Sequence, residues 1–163
     1  MINSEGTIWK RKLEKRTWPR IVKIPGKWAM SNGKGRMLVP TPLLIDAIIN
    51  KIPKGKLTTV NTICDYLAGQ YHVDMTCPMT TGIFMIIAAY AAEESRESNN
   101  ATITPYWRVL NDGGILNPKF PGGSVQQARY LLLEGFMIEK GSSRDKPVVR
   151  NFEKNLTDFS NHN

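Results

Sequence analysis

From Thr41 onward, apolar residues return every three or four positions. Leu43, Leu44, Ala47, Ile48 and Ile52 make one stripe, with Pro42 suited to a first turn and Pro53-Lys54-Gly55 to a stop. A second helix is expected after Thr58-Thr59, carrying Val60, Ile63, Cys64 and Leu67 on one face and stopping at Gly69. A third, longer one starts near Thr76-Cys77-Pro78 and runs through Ile83, Phe84, Ile86, Ile87 and Tyr90 to about Glu94. It is apolar nearly all round, so most of it should be buried. Two helices joined by a short connection, with another before them, have the shape of a helix-turn-helix. Ser98 to Thr102 reads as a polar linker. Ile103 to Leu116 reads as a hairpin turning at Asn111-Asp112-Gly113-Gly114, and a last helix is expected from Ser124 to Glu134. The pattern predicts a mainly α fold with a small β-hairpin wing, an α+β class.

Outside this periodic region the chain changes character. Residues 1–37 set Trp9, Trp18 and Trp28 among Lys10, Arg11, Lys12, Lys15, Arg16, Lys23 and Lys27, with Pro19, Pro25 and glycines breaking any helix. An extended arm is expected there, separate from a domain at 38–141 and from a weakly structured tail at 142–163. Its tryptophans either pack on the domain or stack on unpaired bases. Charge sharpens the contrast. Residues 1–56 hold 13 Lys and Arg against Glu5, Glu14 and Asp46, whereas residues 57–163 hold 9 against 11 acids, so the net +8 belongs to the N-terminal third. Such crowding of like charge points to a polyanionic partner, or to a solvated tail.

The remaining composition narrows the classes. With 163 residues, 41% of them hydrophobic, the chain can bury a core without disulfides or metals. Cys64 and Cys77 show no framework spacing, there is no His/Cys cluster, and no cofactor motif is present. No apolar leader opens the chain. The longest apolar run, about Gly82 to Ala92, falls short of the roughly 18 residues that a membrane span requires. A reducing compartment follows, with a cytoplasmic location expected and nucleoid association if the chain binds DNA.

Five separated motifs carry a resemblance: Ile52-Pro53-Lys54-Gly55-Lys56-Leu57-Thr58-Thr59, Thr104-Pro105-Tyr106-Trp107-Arg108-Val109, Asp112-Gly113-Gly114, Pro121-Gly122-Gly123, and Leu131-Leu132-Leu133-Glu134-Gly135. Over roughly Val39 to Ile138 their order resembles the DNA-binding domain of the methylated-DNA–protein cysteine methyltransferases. That family uses a winged helix-turn-helix of the alkyltransferase C-terminal type to remove alkyl groups from guanine. Its hexapeptide normally reads Ile-Pro-Cys-His-Arg-Val, and a Cys-His-Glu relay holds the nucleophilic thiolate. Here Tyr106 stands at the cysteine position and Trp107 at the histidine position, while Glu134 and Arg108 are retained. A phenol with a pKa near 10 offers almost no phenolate at neutral pH.

The resemblance implies duplex DNA as partner, without chemistry. It is closest in kind to the non-catalytic alkyltransferase-like branch, whose members carry an aromatic residue at the cysteine position, bind alkylated DNA and recruit repair proteins, but which keeps the histidine, tyrosine and arginine that Trp107, Val60 and Met79 replace here. The family's base-rotating tyrosine is Val60 here, and its arginine finger falls at Met79 or a neighbour, an apolar wedge of the kind used by some DNA-bending proteins. Phosphate contacts are expected from Thr58 and Thr59, from Thr80 and Thr81, from Arg108, and from Lys10, Arg11, Lys12, Lys15 and Arg16. Tyr106 and Trp107 either line a lesion pocket or fill it as core aromatics. Cys77, beside Pro78 at a helix start, is either a relocated nucleophile or a small buried residue. A protein-interaction module docking an acidic partner is the alternative function from another class.

Overall fold

The computed structural model describes residues 8–29, 35–99 and 102–161. The first seven arm residues, residues 30–34 and the middle of the expected 98–102 linker lie outside the described residues. Among those described, no helix is long and apolar enough to cross a membrane.

The architecture mixes helices with short strands. In chain order these are α1 (Ile8–Leu13), β1 (Arg20–Lys23), β2 (Arg36–Val39), α2 (Pro42–Ile49), β3 (Thr58–Thr59), α3 (Val60–Gln70), β4 (Met75–Thr76), α4 (Pro78–Glu97), β5 (Val109–Leu110), α5 (Gly123–Leu133), β6 (Ile138–Lys140) and β7 (Pro147–Val149). Local chemistry explains the helix starts. Thr41 and Thr59 are extended and cap α2 and α3, each Oγ1 accepting a backbone N–H three residues on, from Leu44 and Thr62, at 3.2 Å. Pro42 and Pro78 occupy first-turn positions, where a missing N–H costs nothing. At α5, Gly122 takes φ +71°, a left-handed entry in which a Cβ would meet the Gln126 side chain at 2.6 Å.

The strands tie distant segments together. β2 pairs antiparallel with β1 and parallel with β4; β3 pairs parallel with β5; β6 pairs antiparallel with β7. Ile45, Ile49, Ile63, Leu67 and Met85 from the three central helices meet around the fully buried Tyr106. A smaller cluster joins Leu57, Leu110, Leu116, Leu131, Phe136 and Val149 beneath α5.

Three expectations need correction. The hairpin expected at 103–116 reduces to a single antiparallel bridge, Asn111 to Ile115, across a 3₁₀ turn at Asp112–Gly114. The residues that would have formed its first strand pair instead with β3, which satisfies their backbone groups in another way. The segment beyond Gly141 is structured. Val149 is buried, Leu57 bonds to Asn155 and Thr157 on either side of a parallel bridge with Leu156, and Phe159 packs on Tyr66 with ring centroids 5.1 Å apart. The described part of the arm is not simply extended. Trp9 in α1 stacks on Tyr90 of α4 at 4.6 Å, and the Glu94 carboxylate accepts the Trp9 and Lys10 backbone N–H groups. Trp28 joins a small cluster with Ile24, Met37 and Cys77, while Trp18 is 87% exposed.

Candidate functional site

Two regions of α4 bear on function, and the first is closed. Tyr106, on the 3₁₀ turn before β5, has none of its surface exposed. Its ring meets Trp107, Phe120 and Tyr130 edge-on, with centroids 5.1 to 6.1 Å apart. Its hydroxyl donates to Glu93 Oε1 at 2.8 Å, and Tyr130 donates to the same oxygen at 2.7 Å. Burial comes first in pushing both phenols up, followed by these bonds to a carboxylate, and Tyr130 reaches about 12.

Trp107 stacks on Tyr130 at 4.4 Å and donates Nε1–H to Glu134 Oε1 at 2.9 Å. Glu134 also takes Arg108 Nη2 at 2.7 Å, Arg108 Nε at 3.0 Å and the Gly55 backbone N–H at 3.3 Å, while Arg108 Nη1 reaches the Ile52 carbonyl at 2.6 Å. Burial alone would raise Glu134, but donors from Arg108, Trp107 and Gly55 hold it below the usual carboxylate range. Glu93 is held low in the same way by Tyr130, Arg96 and Tyr106. The position that the resemblance assigns to a nucleophile is thus packed with aromatic rings whose polar atoms are already bonded.

The second region is open. The N-terminal half of α4, the start of α3 and the loop at 111–119 enclose a groove of about 1040 Å³. Val60, Met79, Ile83, Ile86, Ile115 and Pro118 give it an apolar lining, with Lys119, Lys146 and the acid Asp112 as its charged residues. Met79 and Ile83 are about half exposed, at 52% and 48%, although the sequence pattern anticipated a helix buried nearly throughout. The pattern fails here because α4 is covered along only part of its length. α4 has no side-chain cap at Cys77, so the Met79 and Thr80 backbone N–H groups face the helix entrance without intrahelical partners. The groove unites Val60 with Met79, the two positions that the resemblance assigns to base rotation and strand filling.

Other expected site residues fall elsewhere. Thr58 and Thr81 have no exposed surface, so their hydroxyls cannot reach a phosphate; Thr81 Oγ1 donates inward to the Cys77 carbonyl at 2.8 Å. Thr59, 8% exposed, is occupied as the α3 cap, and half-buried Thr80 lies beside the groove. Arg108 is spent on Glu134 and Ile52, which removes it from the expected phosphate contacts. Cys77 does stand at the α4 entrance, but it is buried against Ile24 and Met37, not turned to a reactive surface. Cys64 is buried too, and burial drives its thiol up to about 11. Of the arm cations, Lys10 pairs with Glu14 at 3.9 Å and Lys12 lies over Trp9 at 4.3 Å, whereas Arg11, Lys15 and Arg16 are exposed. Ile83, Lys119 and Lys146 are not among the site residues expected from the sequence. Ile83 is detectable from the i, i+4, i+7 run of Met79, Ile83 and Ile86, but nothing local announces that Lys146 lines the same groove as Lys119. Among the described residues no group of acids, histidines and cysteines is arranged to hold a metal ion.

No family model matches the chain. No curated protein matches it either. Among solved structures it is similar to S. pombe Atl1 in complex with damaged DNA containing O6-carboxymethylguanine, at 19% identity and a TM-score of 0.46 over 70% of this chain and 91% of that one. It is likewise similar to S. pombe ATL in complex with DNA, at 19% identity and a TM-score of 0.45 over 72% and 94% of the two chains.

Proposed function

We propose that the chain is a non-enzymatic DNA-binding protein that lays duplex DNA along the open half of α4. The observation that carries this reading is the groove itself, which brings the α3 start, the uncapped α4 entrance and two lysines to one surface. Backbone N–H groups at a helix entrance suit a phosphate, and Lys119 and Lys146 add charge that does not depend on sequence. Met79 and Ile83 suit an apolar wedge against a base step. In this reading α3 and α4 form the helix-turn-helix, and the irregular 111–119 loop serves as the wing in place of a hairpin. An alkylated base enters the groove and not the Tyr106 position, which is filled. Function then lies in recognising damage for other repair proteins, in a cytoplasmic and nucleoid setting.

Fluorescence anisotropy with a labelled duplex tests the reading. Log K should fall with log salt by about 0.9 per phosphate contact, and replacing Arg11, Lys15 and Arg16 together by Gln should flatten the slope. Absence of duplex binding at about 50 mM salt would sink the proposal. The apolar exposure of Met79 and Ile83 favours one other reading, a groove for an amphipathic helix of a partner protein. A duplex that neither binds nor protects the groove in hydrogen exchange would support that second reading.

A further inference from the structure

A second cavity, of about 310 Å³, opens beside the far end of α4 between Lys54, Arg96, Ile103, Trp107, Tyr130 and Leu133. Its charge balance is unusual. The acid in its wall, Glu134, is saturated by Arg108, Trp107 and Gly55, and neighbouring Glu93 is saturated by two phenols and Arg96. The cations are not saturated. Lys54 has no ion-pair partner among the described residues, and Arg96 spends only its Nε on Glu93, at 2.6 Å, leaving both Nη groups for another acceptor. Around these donors the walls are aromatic and aliphatic, formed by the Trp107–Tyr130 stack and Ile103. Leu133 stands at the rim with 82% of its surface exposed, and Leu132 and Met137, both more than half exposed, continue the apolar surface outward.

We propose that this cavity is a docking site for an acidic segment of a partner protein. A carboxylate would sit between Lys54 and the Arg96 fork, and a neighbouring large apolar side chain would pack on Leu133 and the aromatic stack. Unspent cations over apolar walls select an anion joined to a hydrophobic group, and a guanidinium fork matches carboxylate geometry. The exposed Leu132, Leu133 and Met137 favour a protein, because beside unspent cations they offer an apolar patch that the side chains of an acidic segment can bury. Arg96 lies ten residues beyond Ile86 on the same helix, about 15 Å along its axis, so the cavity and the groove are separate surfaces.

The probe is the blocked peptide acetyl-Asp-Leu-Phe-Asp-Glu-Leu-amide, titrated into the full chain and followed by 1H–15N correlation spectra. The comparison peptide carries Asn and Gln in place of its acids. Saturable shifts of the Trp107 indole N–H and of Leu133 are expected with the acidic peptide and not with its amide counterpart. Lys54→Glu and Leu133→Ser, both at exposed positions, should each weaken binding about tenfold with unchanged melting temperature. No shift at millimolar peptide, shifts confined to Met79 and Ile83, or affinity indifferent to Lys54→Glu would each overturn the proposal. Displacement of the bound peptide by duplex DNA would overturn it too, by making the cavity part of a nucleic-acid surface. None of these results alters the duplex-binding test, which reads the other end of α4.

Discussion

The two halves of α4 share one helix and differ in what they leave unsatisfied. Toward its C-terminus, Glu93 bonds Tyr106, Tyr130 and Arg96, and α1 lies across Tyr90 with its own entrance held by Glu94. Toward its N-terminus, the helix entrance is uncapped, and Met79 and Ile83 face solvent in a groove. Around Glu93 and Tyr90 the first half spends its side chains on holding the fold together. The second keeps polar and apolar capacity in reserve, and a ligand gains free energy only from such reserve. Sequence resemblance directs attention to Tyr106, yet that side chain is itself fully buried and its hydroxyl is already bonded to Glu93.

The largest expected effect tests the closed half. Tyr106→Ala empties a core position lined by three rings, and should cost about 3 to 5 kcal/mol, lowering the melting temperature by about 10 °C. Duplex affinity measured well below the melting temperature should stay as in the unmodified protein. If affinity collapses while stability does not, Tyr106 touches ligand and the contrast fails.

Next comes Glu134→Gln, which strands the Arg108 guanidinium and should destabilise by about 3 kcal/mol. The pH dependence sharpens this. Glu134 and Glu93 have folded pKa values held below their unfolded ones, so their contribution is present above about pH 4.3 and is lost as pH falls through the folded values. Acid unfolding curves of Glu134→Gln should therefore fall less steeply below about pH 4.3 than those of the unmodified chain. An acid limb of identical steepness would show that the Arg108 pair is energetically idle.

Substitutions in the open half should behave in the opposite way. Met79→Glu and Ile83→Asp lie on exposed surface, so stability should move by no more than about 0.5 kcal/mol. Duplex binding should weaken by about tenfold or more, because a carboxylate then faces phosphate. Denaturant titration and anisotropy read the two quantities separately, and a large stability loss with intact affinity would reverse the assignment of the halves. The smallest expected effect is none. With Cys77 covered by Ile24 and Met37, and the buried Cys64 thiol raised to about 11, incubation with duplex containing methylated guanine should add no methyl to the protein by intact mass. A stoichiometric gain at Cys77 would bring alkyl transfer back.

Helices α2 through α5 are legible in the sequence because their causes are local. A threonine cap at Thr41 or Thr59, a proline at a first turn and apolar recurrence at three and four residues act within one or two turns. The expected packing of Trp9 is seen, but its partner was not readable, since Tyr90 and Glu94 lie more than 80 residues away. Strands of two residues leave no period to detect. Whether Val109 and Leu110 turn back on Ile115 or join Thr58 and Thr59 depends on which partner the closed fold brings within hydrogen-bond reach. Exposure along α4 is likewise a matter of what covers it. As far as Ala92 its sequence is apolar nearly all round, and only the placement of α1, α2 and α3 decides that Met79 and Ile83 stay open while Met85 and Ala88 are sealed. By itself the sequence determined helices α2 through α5, the basic N-terminal third and the tyrosine at position 106; the tertiary structure alone decided that Tyr106 is sealed in the core while Met79 and Ile83 stay open, because burial is settled by contacts between segments that local preference does not encode.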